Sequence, residues 1–227
     1  MTDPRIIVAI DTFDLKKAKT ILDQLDPELC KIKIGSVVFN SIGKSLLHEV
    51  FQRGFKIFLD LKLHDIPNTV HETIIGFHDC NIDMLTVHLS GGEEMLKKAI
   101  LAAQIIKTQV IGVSILTSLD ESDSLALFNN SLNDQIVNLF KLAKKTNIDG
   151  IVCSPLELEV ANRILDSRLI KVTPGIRDIL VDDDQARTMS AKGAIKKGAT
   201  FLVIGRPITQ ASDAALALKS FHKSINE

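Results

Sequence analysis

Phe58-Leu-Asp-Leu-Lys-Leu-His-Asp-Ile-Pro-Asn-Thr69 begins as an apolar strand and ends in charge, with Asp60, Lys62 and Asp65 inside six residues. In an extended chain alternate side chains share a face, so Asp60 and Lys62 are expected to project together while Leu59, Leu61 and Leu63 point the other way. Charges on the inner face of a strand are costly unless they are paired or used. Ile66-Pro67 ends the strand, because proline donates no ladder hydrogen bond and keeps its predecessor out of helical geometry. Asn68 or Thr69 is placed to start the helix that follows. The cluster therefore lies at the C-terminal end of a strand, where α/β proteins gather their chemistry.

The same alternation of strand and helix extends in both directions. Upstream, Arg5-Ile-Ile-Val-Ala-Ile10 runs into Asp11, and Lys31-Ile-Lys-Ile34 is closed by Gly35 with Lys33 near its end. A helix is expected over much of Val37 to Gln52, stopped by Gly54. Downstream, strands are expected at Met84–His88, Val110–Leu116, Gly150–Cys153, Leu169–Thr173 and Phe201–Ile204. Helical spacing recurs between them, as in Ile136, Leu139, Phe140 and Ala143, with Asn133 as the expected cap. A further helix is expected from Gln185 to Lys197, ended by Gly198. Eight strands, each followed by helix, in a chain of 227 residues imply an α/β fold, a (β/α)8 TIM barrel forming one domain over residues 1–227. A doubly wound open sheet is the rival. It uses fewer strands at this length, and no Gly-x-Gly-x-x-Gly follows the first strand.

Composition narrows the function. The chain is 45% hydrophobic and 24% charged with a formal net charge of −1, so there is no electrostatic case for nucleic acid or an anionic membrane as partner. No apolar run approaches the ~20 residues that span a bilayer. Met1-Thr-Asp-Pro-Arg5 lacks the basic region and apolar run of a signal peptide. Cys30, Cys80 and Cys153 are odd in number, far apart and without Cys-x-x-Cys spacing, which reads as reduced thiols in a cytoplasmic protein. His64, His71 and His78 recur every seven residues but straddle strand, proline break and helix, so they are expected as scattered surface residues.

The strand ends are Asp11, Lys33, Asp60 with Lys62, His88, Thr117 with Ser118, Ser154, Pro174 with Arg177, and Gly205 with Arg206. If the barrel closes they converge on one face, and a lysine kept protonated beside carboxylates there suits proton donation to a carbanion. His88 is expected to shape the mouth or satisfy a buried hydrogen bond rather than act as a base. Loops after the seventh and eighth strands of barrels often bind phosphate. Here they read Thr173-Pro-Gly-Ile-Arg177 and Ile204-Gly-Arg-Pro-Ile-Thr209, which points to a phosphorylated small molecule.

Asp60-x-Lys62-x-x-Asp65-Ile-Pro-Asn-Thr69, with Thr173-Pro-Gly-Ile-Arg177 and Ile204-Gly-Arg-Pro-Ile208, closely resembles the orotidine 5'-phosphate decarboxylase family, and the resemblance runs from Ala9-Ile-Asp11 to the final Gly-Arg-Pro. It implies a homodimeric barrel, needing neither cofactor nor metal, that converts orotidine monophosphate to uridine monophosphate and carbon dioxide in pyrimidine biosynthesis. By motif, Lys62 would protonate C6, Asp60 would face the substrate carboxylate, and Lys33 and Asp65 would complete an alternating charge array. Asp65 and Thr69 would reach the neighbouring subunit's site. Asp11 and Lys33 would contact the ribose, Thr117 and Ser118 the pyrimidine, and Gln185, Gly205 and Arg206 with Arg177 the phosphate beside Pro174. Met189-Ser190 departs from the Thr-Pro common in the family, and the acidic loop Asp178 to Asp184 is a candidate lid. Two other readings stand beside this one. A magnesium-dependent 3-keto or hexulose phosphate decarboxylase or aldolase typically carries a carboxylate where this chain has Lys33. An inert nucleotide-binding barrel would not need buried like charges.

Overall fold

In the computed structural model, which describes residues 3–177 and 188–226, the apolar runs pair in parallel, each with the next and the last with the first. The strands are β1 (Ile6–Ile10), β2 (Cys30–Gly35), β3 (Ile57–Leu63), β4 (Ile82–His88), β5 (Gln109–Val113), β6 (Gly150–Val152), β7 (Ile170–Thr173) and β8 (Phe201–Ile204). They close as β1 through β8 in order, with helices in the connections: a (β/α)8 barrel. All eight expected strands form, within a few residues of the expected limits.

Period-2 alternation divides the side chains into two cores. Ile7, Phe58, Met84, Ile111, Val172 and Phe201 fill the inside of the barrel. Residues one step away, such as Ile6, Val8, Ile32, Ile34, Leu59 and Leu85, pack outward beneath the helices. Lys31 and Lys33, two apart on β2, leave opposite ends of that interior. Lys31 is 1% exposed. Its Nζ lies 2.6 Å from Asp83 Oδ2, 2.8 Å from Asp3 Oδ2 and 4.3 Å above the Phe201 ring, closing the floor.

Two local expectations are corrected. The helix expected across Val37 to Gln52 is two, Ser36–Ile42 and Lys44–Gln52, because Gly43 adopts φ 79 and ψ −163, a conformation that only glycine takes without strain. The helix Leu132–Thr146 is capped by Ser131, whose Oγ accepts the Asp134 N–H at 3.1 Å; Asn133 lies inside the first turn. The later helix is described over Ala191–Lys196, with Ser190 as cap. Gln185 and the loop Asp178 to Asp184 lie outside the described residues.

The barrel leaves no room for a side chain between β6 and β7 at Gly150. A Cβ on Gly150 would stand 2.7 Å from both the Cβ and the carbonyl oxygen of Ile170, and 2.9 Å from Ile111 Cδ1. Two of these atoms belong to rigid backbone or to its first side-chain carbon, so the strands themselves must part. Gly150→Ala is expected to lower the unfolding free energy by about 1–3 kcal/mol, measured by urea denaturation; an unchanged midpoint would contradict this packing.

Candidate active site

At the C-terminal ends of the strands lies a cavity of about 450 Å³. Asp11 follows β1, Lys33 ends inside β2, and Asp60 and Lys62 come from β3. Ile115, Leu116 and Thr117 follow β5, Pro174, Gly175 and Arg177 follow β7, and Gly205, Arg206, Thr209 and Gln210 follow β8. One wall is charged. Val113, Ile115, Val152 and Val203 make an apolar wall.

The charged wall centres on Asp60, which is 8% exposed. Its Oδ1 is 2.8 Å from Lys62 Nζ and its Oδ2 is 3.4 Å from Lys33 Nζ. Burial opposes the charged form of Asp60. The charges of Lys33 and Lys62, with hydrogen bonds from Lys62 and Thr86, outweigh it and hold the carboxyl below the usual carboxylate range. The magnitudes explain why two cations are present. Burying a carboxylate costs several kcal/mol, whereas one contact at an effective dielectric of ~20 returns only a few kcal/mol. Gly35 keeps the corner beside Lys33 open, since a Cβ there would lie 3.0 Å from Lys33 Nζ and 3.7 Å from Asp11 Oδ1.

Asp60 and Lys62 do face the same cavity, but plain alternation does not put them there. Leu59 pairs with Leu85 and Leu63 with Val87, so residues 60–62 of β3 stand opposite the single residue Thr86 of β4. Two residues are extra, and the excess is taken up where Lys62 turns into the left-handed region at φ 51. The Lys62 N–H donates to Thr86 Oγ1 at 2.8 Å, and the Thr86 hydroxyl donates to Asp60 Oδ1 at 3.1 Å.

Other residues singled out in the sequence fall in different places. Asp65 and Thr69 are exposed and do not line the cavity of this chain. Asp65 Oδ1 accepts the Ile66 N–H at 2.7 Å, just ahead of the helix Pro67–Ile75. Thr117 lines the cavity, whereas the exposed Ser118 does not. Ser154 is buried and turned into the wall, donating to Glu157 Oε1 at 2.8 Å. His88 packs its ring 5.2 Å from that of His64, outside the cavity lining. Burial, His64 and Lys62 lower its pKa against the pull of Asp60. His64 and His78 are exposed, and His71 pairs with Glu72. Thr209, the end of the loop expected to bind phosphate, and Gln210, which no sequence motif contains, both line the cavity. They follow Arg206 on and just after the one-turn helix Arg206–Thr209, whose position against the cavity no local pattern announces. The stems around residues 178–187 are clasped: the Arg177 N–H donates to Met189 O at 2.9 Å, and the Met189 N–H to Gly175 O at 3.1 Å.

Among the described residues the cavity lining carries two carboxylates, Asp11 and Asp60, and Asp60 is poorly disposed to a metal ion because both its oxygens already face ammonium groups. Among the described residues, His48, Asp79 and Cys80 form a metal-capable group near the N-terminal end of β4. Lys44 engages Asp79 there, and burial with the Asp79 hydrogen bond pushes the Cys80 thiol up to about 11.

Residues 4–221 match the family model described as "Orotidine 5'-phosphate decarboxylase / HUMPS family". The chain belongs to this family. Curated members include the orotidine 5'-phosphate decarboxylase of Coxiella burnetii, 41% identical over 98% of this chain and 97% of that protein. The protein of that name from Actinobacillus succinogenes is 40% identical over 98% of both. The crystal structure of orotidine 5'-phosphate decarboxylase from Lactobacillus acidophilus superposes with a TM-score of 0.88 at 34% identity, covering 99% of this chain and 100% of that one.

Asp60 contributes stability that is fully present above the ordinary carboxylate pKa of about 4 and is lost as pH falls through its depressed folded value. Lys33→Met removes the nearest charge on Oδ2. The Asp60 titration, followed by carboxylate ¹³C NMR, is then expected to move upward, and acid unfolding to begin at higher pH. An unmoved titration would show that Lys33 does not hold this carboxylate.

Proposed function

We propose that this protein is an orotidine 5'-phosphate decarboxylase, carrying out the cofactor-free conversion of orotidine 5'-monophosphate to uridine 5'-monophosphate and carbon dioxide. The observation that carries the reading is the Lys33–Asp60–Lys62 array in the cavity of a chain that belongs to this family. In the reaction the bond between C6 and the carboxylate breaks and its electron pair stays on C6, a carbanion with little delocalisation. Lys62 then gives a proton from Nζ to C6 and is left as an amine, which solvent reprotonates. A fixed ammonium stabilises the developing carbanion without solvent reorganisation. Asp60, ionised and close to the departing carboxylate, raises the energy of the bound substrate relative to the transition state, where that carboxylate becomes neutral carbon dioxide. Lys33 holds Asp60 and with Asp11 takes the ribose hydroxyls, Thr117 the pyrimidine, and Gly205 and Arg206, with Arg177, Pro174 and Gln185, the phosphate. Binding the phosphate far from C6 supplies energy for desolvation at the reacting carbon.

The reading includes a single-domain, cytoplasmic homodimer. Asp65 and Thr69 are exposed beside Ile66, and Leu101 and Ile105 are exposed on the neighbouring helix Gly92–Ile106, an apolar strip suited to a second copy. Asp65 and Thr69 then complete the partner's site. Cys30, Cys80 and Cys153 are unpaired and buried, as in a reducing compartment, and no described helix is long and apolar enough to cross a membrane.

Lys62→Ala is expected to abolish loss of orotidine monophosphate absorbance while circular dichroism and light-scattering mass stay those of the wild type; near wild-type turnover would refute the assignment. Chelator should leave the wild-type rate unchanged, and chelator-sensitive turnover would favour the metal-dependent relatives.

The dimer has its own test. Lys62→Ala and Asp65→Ala dimers are each expected to be inactive, but a hybrid dimer would contain one site with both residues intact. Random reassociation makes half the dimers hybrids, so about a quarter of wild-type activity should return on mixing. No recovery after subunit exchange would place Asp65 in its own chain's site, and an active Asp65→Ala dimer before mixing would place it outside the chemistry.

A further inference from the structure

Thr86 is fully buried on β4, does not line the cavity, and is the only β4 residue opposite the three-residue excursion of β3. A regular ladder would pair the Lys62 N–H with a strand carbonyl, and the register shift removes that partner. The Thr86 hydroxyl replaces it, and its direction is then determined. Its oxygen accepts from Lys62 N, so its proton goes to Asp60 Oδ1. The same Oδ1 accepts from Lys62 Nζ at 2.8 Å, leaving Oδ2 toward Lys33. One hydroxyl thus ties the backbone of Lys62 to the carboxylate that its own side chain meets. A left-handed backbone is unfavourable for a residue with a Cβ and persists only where its surroundings hold it.

Resting on the decarboxylase reading above, we propose that Thr86 is a positioning residue for the reaction: its hydroxyl fixes the left-handed turn at Lys62 and the rotation of the Asp60 carboxylate, and so aims the Lys62 ammonium at the reacting carbon. It touches no substrate and acts only through these two residues. The groups assigned to ribose and phosphate stand on other strands, so the loss of this hydroxyl acts on turnover and not on substrate capture.

Thr86→Val keeps the β-branched shape and removes the hydroxyl, whereas Thr86→Ser keeps the hydroxyl. With orotidine monophosphate, Thr86→Val is expected to lower kcat about tenfold or more while KM stays within about twofold, and Thr86→Ser to restore kcat. In the substrate-free protein, amide hydrogen exchange at Lys62, read by NMR, should speed up about tenfold or more in Thr86→Val and return to the wild-type rate in Thr86→Ser. Should Thr86→Val not fold, Thr86→Ala, which also lacks the hydroxyl and adds no bulk, is read in the same way. Wild-type kcat in the hydroxyl-free variant, unchanged Lys62 exchange, or a serine variant as impaired as the valine one would each overturn the proposal. If wild-type protein fails to turn over orotidine monophosphate, the decarboxylase reading falls, and the exchange comparison still decides whether Thr86 holds Lys62.

Discussion

Asp60 is held between two ammonium groups, and most of what surrounds it is needed to keep it there. A carboxylate this deeply buried is not supported by one surface-type ion pair, because the desolvation cost exceeds what a single screened contact returns. The second cation must come from another strand, so the site exists only if β2 and β3 lie side by side with Gly35 opposite Asp60. It also needs β3 to bulge at Lys62, so that a lysine two residues from the aspartate can fold back on it. Barrel closure, strand register and one unusual backbone angle all converge on this carboxylate.

Lys31 shows what the same residue type does where chemistry is not required. It shares the inward face of β2 with Lys33, yet its ammonium ends at the barrel floor, neutralised by Asp3 and Asp83 and covering Phe201. The layer of Phe58, Met84, Ile111 and Val172 separates the two lysines. The floor pair closes the barrel, whereas the mouth pair leaves Lys62 about one-third exposed in a cavity. At that mouth the charged wall faces an apolar one, an arrangement suited to a planar ring whose one edge carries charge.

Much of this was legible in one dimension. Strand positions followed from apolar runs bounded by Gly, Pro and charge, since closing a parallel barrel requires buried strands with helices between them. The charged strand ends were legible for the same reason: a charge at the edge of an apolar run needs a partner or a task. The residues whose role is not written in their own segment are those that depend on a neighbour far away in sequence. Thr86 reads as an ordinary strand threonine until the bulge faces it. Thr209 and Gln210 read as the tail of a loop until β8 closes on β1. Gly43 was visible, but glycine permits a break without demanding one, and the helical spacing on both sides concealed it.

The amino-acid order by itself determined the α/β alternation, the number of strands, and the charged motif that marks the family. All of these depend on the period of a single segment or on residue types along it. Only the tertiary structure decided that three residues of β3 face one of β4, that Lys62 turns left-handed there, and that Thr86 joins Lys62 to Asp60. Register is a relation between two strands, set by how their hydrophobic faces and turns fit one another, and neither strand carries it alone.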